Sequence, residues 1–199
     1  MKTPPLIIAL LIASLQGCAT AVKQTNPTDH SQFNARQIVA LEQWQLSGKL
    51  GLRSPQQANT ANLHWQQQRE AYQLRLSGPL GSGATQISGN SGRIEIRQGA
   101  ETYTGTPELL GLQLIGVPLP VDAMSWWIRG LPSPNHKATT NMVTSAEGTP
   151  ISFEQAGWQL SYSQFQRIDQ YLLPKKVSGQ FGDLSFKLVI SNWSFPDSQ

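Results

Sequence analysis

The chain contains a single cysteine, Cys18. No intrachain disulfide can therefore staple the fold. Charged residues make up only 14% of the chain, and the net charge is +3. Lysines and arginines are scattered singly, with Lys175-Lys176 the only adjacent pair. That pattern describes solvated turns and strands and gives no footprint for nucleic acid. The three histidines, His30, His64 and His136, are far apart in sequence. They lack the His-Glu-x-x-His spacing of a metal site, and no Gly-rich phosphate loop with its Lys and Ser or Thr is present. A Gly-x-Ser-x-Gly nucleophile elbow is missing too. Spacing leaves open a triad assembled in space. No apolar run is long enough to span a bilayer, which takes about twenty residues; Leu6 to Leu15 supplies about ten. No repeat of fixed period and no low-complexity block is found.

What is present begins at the start of the chain. Lys2 provides a positive charge, and Leu6 to Leu15 form the apolar region of an export signal. The segment Leu15-Gln16-Gly17-Cys18 resembles the lipobox of bacterial lipoproteins, with Gln16 bulkier than the usual residue there. The resemblance implies a diacylglycerol on the Cys18 sulfur, cleavage before Cys18 and acylation of the new amine. Each buried methylene contributes about 0.8 kcal/mol, and two lipid signals already anchor a protein stably. Three acyl chains would hold this one almost permanently. By resemblance to lipoprotein sorting rules, Ala19 in place of Asp favours the outer membrane over the inner one. Residues 1–17 are thus read as signal peptide, 18–29 as lipidated tether and 30–199 as a single domain.

Within the domain, Thr28 or Asp29 is expected to cap a helix to about Glu42, with Phe33, Ile38 and Leu41 as its apolar positions. The period then changes to two. Trp44, Leu46, Leu50 and Leu52 alternate with Gln45, Ser47, Lys49 and Arg53. The pattern recurs at Ala61, Leu63 and Trp65, at Tyr72, Leu74 and Leu76, and at Ile94 and Ile96. It returns at Ile151 and Phe153, at Trp158, Leu160 and Tyr162, and at Leu184, Phe186, Leu188 and Ile190. One-sided alternation with Gly- and Asn-containing connections predicts an antiparallel meander of about ten strands. Two short helices interrupt it. Thr106-Pro107-Glu108 starts one, followed by Leu109, Leu110, Leu112 and Leu114. A second starts near Pro120, carries Val121, Met124, Trp127 and Ile128 on one face, and ends at Gly130 and Pro132. So few helices cannot cover so long a sheet. The sheet must curl, leaving either a packed core or a hollow.

An ordered set of segments resembles the outer-membrane lipoprotein receptor family LolB. They are Trp44-Gln45-Leu46-Ser47-Gly48-Lys49-Leu50-Gly51, Leu76-Ser77-Gly78-Pro79-Leu80-Gly81 and Gly116-Val117-Pro118-Leu119-Pro120. Trp126-Trp127-Ile128-Arg129-Gly130-Leu131-Pro132 follows, then Gly157-Trp158 with Tyr162, Leu173-Pro174 and Val189-Ile190-Ser191-Asn192-Trp193. The resemblance covers most of the chain from Trp44 to Trp193. It implies a mainly β fold, an unclosed antiparallel barrel of about eleven strands with short helices over a hydrophobic cavity. It also implies a function: a monomeric receptor that takes acylated lipoproteins from the periplasmic carrier LolA and places them in outer-membrane lipid. No nucleotide, metal or other cofactor is implied beyond the acyl groups on Cys18.

The apolar phase of each element assigns the acyl-chain cavity to Leu46, Leu50, Leu63, Trp65, Leu74, Leu76, Trp127, Ile128, Trp158 and Leu160. Pro79, Leu80 and Gly81 match the family's protruding loop, whose leucine is tied to delivery into the membrane. Two other readings use the same residues: a scaffold lipoprotein with a packed β core, or a periplasmic hydrolase.

Overall fold

The computed structural model describes residues 33–78, 83–115 and 120–195. Cys18 and the Pro79-Leu80-Gly81 loop lie outside the described residues. A single antiparallel sheet of eleven strands dominates, in the order β6-β5-β4-β3-β2-β1-β11-β10-β9-β8-β7. Its strands are β1 (Gln43–Arg53), β2 (Ala58–Gln68), β3 (Ala71–Ser77), β4 (Thr85–Gly89), β5 (Ile94–Gln98) and β6 (Glu101–Gly105). Then come β7 (Thr140–Thr144), β8 (Pro150–Gln155), β9 (Trp158–Ile168), β10 (Tyr171–Phe181) and β11 (Leu184–Ser194). β6 and β7 are the two free edges, so the curled sheet is not closed. The helices are α1 (Ala35–Val39), α2 (Pro107–Ile115) and α3 (Val121–Trp127).

Two meanders, β1–β6 and β7–β11, are joined where β1 pairs with β11. The register slips there between Ser47 and Gly48. A Cβ on Gly48 would stand 2.3 Å from the Val189 carbonyl oxygen, so the bulge requires glycine. Alternation puts one greasy face inside. Trp44, Leu46, Leu63, Trp65, Leu74, Ile94 and Ile96 are buried in one cluster, with Leu188 and Ile190. Trp127, Phe153, Trp158, Leu160, Tyr162, Val177 and Phe186 are buried in a second.

Several elements differ from the sequence expectation. α1 is five residues long and starts after Asn34, whose side chain accepts from the Gln37 N–H at 3.3 Å. Leu41 and Glu42 leave the helix as the chain turns into β1. β4, β6, β7 and β10 carry little alternation in their sequences. β7 is exposed along its whole length, and Pro174-Lys175 breaks the phase of β10. Ile151 was expected inside with Phe153. It is 45% exposed, whereas Phe153 is 1% exposed, because nothing covers the sheet beside the edge strand β7. Both later helices start as expected: the Thr106 hydroxyl accepts from the Leu109 N–H at 3.3 Å, and Pro120 opens α3.

Candidate acyl-chain site

The hairpin connections define two ends of the curled sheet. One end carries the turns β2–β3, β4–β5, β7–β8 and β9–β10. The other carries β1–β2, β3–β4, β5–β6, β8–β9 and β10–β11. α3 lies across the first end, the mouth. Its burial is nearly all round: Val121, Ala123, Ser125 and Trp127 are buried, as are Ile128 and Leu131 just beyond it. A seven-residue helix this apolar is held by packing and not by its own propensity.

Polar bonds then fix it. Trp127 donates its indole N–H to Gln155 Oε1 at 2.8 Å. The same oxygen accepts from the Ser133 N–H at 2.8 Å, and the Gln155 amide donates to Ser133 O at 2.9 Å and Lys137 O at 3.0 Å. Tyr162 Oη donates to Trp127 O at 2.8 Å, and burial pushes its phenol well above the usual value. On the other side, buried Arg129 donates to Ser125 O at 2.9 Å, to Ile38 O at 3.0 Å and to Leu41 O at 3.1 Å. Its guanidinium also sits 4.6 Å from the Trp126 ring centre. With no carboxylate partner, burial lowers its pKa to about 10. The bonds to Ile38 O and Leu41 O thus tie the end of α3 to the end of α1.

Between α1, α3 and the β2–β3 turn lies a cleft of about 710 Å³. Val39, Leu41, Trp44, Tyr72, Val121 and Trp126 give it an apolar lining, and Gln67, Arg69, Asp122 and Arg129 add polar groups. The Tyr72 phenol is raised by burial first, then by the charges of Asp122 and Glu108. Asp122 pairs with His136 at 3.2 Å.

None of the residues assigned to the acyl cavity lines this cleft. Leu46, Leu63, Trp65, Leu74 and Ile128 are buried in the first cluster, with Leu50 and Leu76 packed against it half-buried. Trp127, Trp158 and Leu160 are buried in the second. The structure thus places all of them on the inner side, divided between the two clusters. The sequence puts Leu41 on a helix face and Trp126 in a motif, but neither pattern shows that the two line one cleft with Val39. Of the leucines expected on α2, Leu110 is buried at 4% exposure, and a Cβ on Gly105 would stand 3.3 Å from its Cγ. Leu109, Leu112 and Leu114 instead face out, at 57%, 51% and 43% exposure. No cluster of metal-ligating side chains occurs among the described residues.

An unclosed antiparallel sheet curled round an apolar interior, with one helix plugging its mouth, defines a class of fold: an open half-barrel. A LolA superfamily protein from Nitrosomonas europaea shares the fold at TM-score 0.54 and 8% identity, over 83% of this chain and 94% of that one. A DUF1329 family protein from Desulfovibrio piger does so at TM-score 0.53 and 8% identity, over 82% and 90%. The sequence profile of the outer membrane lipoprotein LolB family matches residues 42–193. Outer-membrane lipoprotein LolB of Cellvibrio japonicus is 37% identical over 94% of this chain and 95% of its own. That of Ectopseudomonas mendocina is 36% identical over the same shares. The chain belongs to the outer-membrane lipoprotein LolB family, which places it in lipoprotein localisation at the outer membrane.

Proposed function

We propose that this protein is the receptor that accepts acylated lipoproteins from the soluble periplasmic carrier LolA and inserts them into outer-membrane lipid. The observation that carries this reading is the continuous apolar inner face of an unclosed sheet, closed at its mouth by one short helix. Three acyl chains hold about forty methylenes, and exposing them to water would cost tens of kcal/mol. A protein wall must therefore replace the bilayer during transfer. Leu, Ile and Trp contacts are non-directional and suit flexible chains. Transfer runs downhill when the receptor binds more tightly than the carrier and the bilayer more tightly than both.

The mouth cleft is on the scale of one small-molecule ligand. Three long chains need more room. Loading therefore includes a parting of α1 from α3, in which the Arg129 bonds to Ile38 and Leu41 break and the inner face assigned from sequence opens. The protein itself is lipidated on Cys18, works as a single chain, and makes or breaks no bond in its cargo. Leu80, between Pro79 and Gly81, enters the bilayer during delivery.

The test uses a soluble form with Cys18→Ala and no signal, mixed with carrier loaded with acylated cargo or with the same cargo lacking acyl chains. Transfer of the acylated cargo alone is expected. A folded domain that takes nothing from an active carrier would leave the packed scaffold as the better reading. Leu80→Glu should fold and accept cargo yet insert it into liposomes on the order of tenfold more slowly or worse, since a carboxylate is costly in lipid. Normal insertion by that variant would remove the loop from the pathway.

A further inference from the structure

The two ends of the sheet differ in charge. At the mouth, the connections carry Arg69, Glu70, Arg93, Glu147 and Asp169. At the opposite end the described residues read Ser54-Pro55-Gln56-Gln57, Gly78, Gly83-Ala84, Gly99-Ala100, Ala156-Gly157 and Gly182-Asp183, with Asp183 the only charge among them. Gly83, Gly99 and Gly182 have no atom within 4 Å of where a Cβ would stand, so these tips are bare.

Behind the bare tips, the outer face of the sheet is basic. Register places His64, Arg75, Gln86 and Arg97 in one row across β2, β3, β4 and β5. Farther round, Lys187 of β11 lies opposite Gly51, two residues from Arg53 at the end of β1. Arg53, Arg75, Arg97 and Lys187 all stand within about three residues, or about 10 Å, of their strand ends. Lys49 and Lys176 continue the band, both opposite Val189. Against these, the outer face of the paired strands offers Glu95 and Glu154. Glu95 pairs with Arg97 at 2.5 Å, and Glu154 accepts from the Asn141 amide at 3.1 Å. Arg75 forms no ion pair among the described residues. A recess of about 470 Å³ opens between Arg75, Ser77, Ala84, Gln86 and Arg97.

Uncharged, small tips backed by a ring of cations match the profile of a lipid interface. Tips of that kind can enter the headgroup layer without burying charge, and the cations behind them meet phosphate. We propose that this end of the half-barrel docks on anionic phospholipid headgroups, with Arg75 and Arg97 taking a lipid phosphate. The inference rests on the reading that the β3–β4 connection delivers cargo into lipid, since Gly78 and Gly83 flank that connection at this same end. The anchor permits the orientation. From Cys18 to Phe33 a chain can reach about 50 Å at about 3.4 Å per residue, whereas the eleven-residue strands are about 37 Å long. The lipid on Cys18 can therefore share a membrane with the far end although Phe33 enters at the mouth, bonded to Glu147 O at 3.1 Å.

The test is sedimentation of the soluble Cys18→Ala form with vesicles of phosphatidylethanolamine alone or with added phosphatidylglycerol. The anionic lipid should raise binding, with salt reversing the gain. Each cation near an anionic surface is worth about fivefold in partitioning. Arg75→Glu with Arg97→Glu should therefore lower binding at least 25-fold on the order of that scale. Arg53→Glu with Lys187→Glu should act alike, whereas Arg36→Glu with Arg93→Glu at the mouth should change little. Equal binding to both vesicles, or unchanged binding by the reversed pairs, would overturn the proposal. So would slower acceptance of cargo by the Arg75/Arg97 variant without vesicles, which would give this face to a protein partner. Failure to accept cargo at all, with anionic binding intact, would sink the receptor reading and leave the docking face standing.

Discussion

The two hydrophobic clusters of the interior are built on different terms. The cluster on the β7–β11 side is aromatic and pinned. Trp127, Phe153, Trp158, Tyr162 and Phe186 stack on one another, with Trp158 lying 6.2 Å from Trp127 and 5.5 Å from Phe186. Gln155 and Tyr162 add buried hydrogen bonds that accept only one placement of α3. The cluster on the β1–β6 side is richer in aliphatic residues, and all three helices reach it. α2 lays Leu110 on it and turns Leu109 and Leu112 to solvent. A buried polar network specifies one arrangement, whereas aliphatic contacts tolerate many. A receptor that must open and reseal needs both: a fixed jamb and a yielding panel. In the receptor reading, acyl chains enter on the β1–β6 side while the β7–β11 side keeps its shape.

That contrast can be broken by substitution. The largest loss of stability is expected from Trp127→Ala, about 3–5 kcal/mol for an emptied aromatic site. Gln155→Leu should cost about 2–4 kcal/mol, because the Trp127 indole and Ser133 N–H groups lose their acceptor. Leu74→Ala should cost about 2–3 kcal/mol and weaken cargo binding as well. Urea denaturation beside a fatty-acyl probe assay separates the two quantities. Equal loss of probe binding from Gln155→Leu and Leu74→Ala would erase the distinction between the sides.

A smaller effect lies in alkali. The Tyr162 pKa is raised by burial, so its contribution is fully present below about pH 10 and is lost as pH climbs toward the folded value. Tyr72 acts in the same direction. Arg129 has the opposite sign. Its pKa is lowered to about 10, so the cost of burying its charge persists below that pH and is relieved above it. The tyrosines outnumber it, and stability should fall as pH rises from about 10 toward 12. Tyr162→Phe should lose less over that interval, and an identical loss would mean that the phenol is not the titrating group. Smallest of all, Leu109→Ser with Leu112→Ser should leave stability within about 0.5 kcal/mol, since both side chains are already in water.

The sequence displayed the fold wherever a strand had two different faces. β1, β2, β3, β5, β9 and β11 alternate plainly, and the register of the family-like segments agrees with that phase. β4, with Thr85, Ser88 and Gly89, has a single Ile to bury and no contrast to read. β7 has no inner partner at all. The assigned cavity residues follow from phase, and phase places them inside. It cannot distinguish a side chain facing a neighbour from one facing a hollow, because both are apolar and both alternate. The mouth cleft was illegible for a different reason. Its residues come from α1, α3 and a turn, which only the curl of the sheet brings together. Arg129 was visible within a motif, yet two of its carbonyl partners, Ile38 and Leu41, lie 91 and 88 residues upstream, where no spacing rule links them.

The seam between β1 and β11 has a kinetic consequence. Export begins at the N-terminus, so β1 reaches the periplasm long before its partner β11. Until the last strand emerges, β1 offers an unpaired edge, and the β1–β6 meander has a greasy face with no opposite wall. The join pairs Gln45 with Ser194, among the most distant residues in the chain, and so is the slowest to find by diffusion. Completion of the wall therefore waits on the final residues secreted. A chain that stalls or is clipped before β11 would present two further open sheet edges, on β1 and β10, to a compartment crowded with acylated proteins.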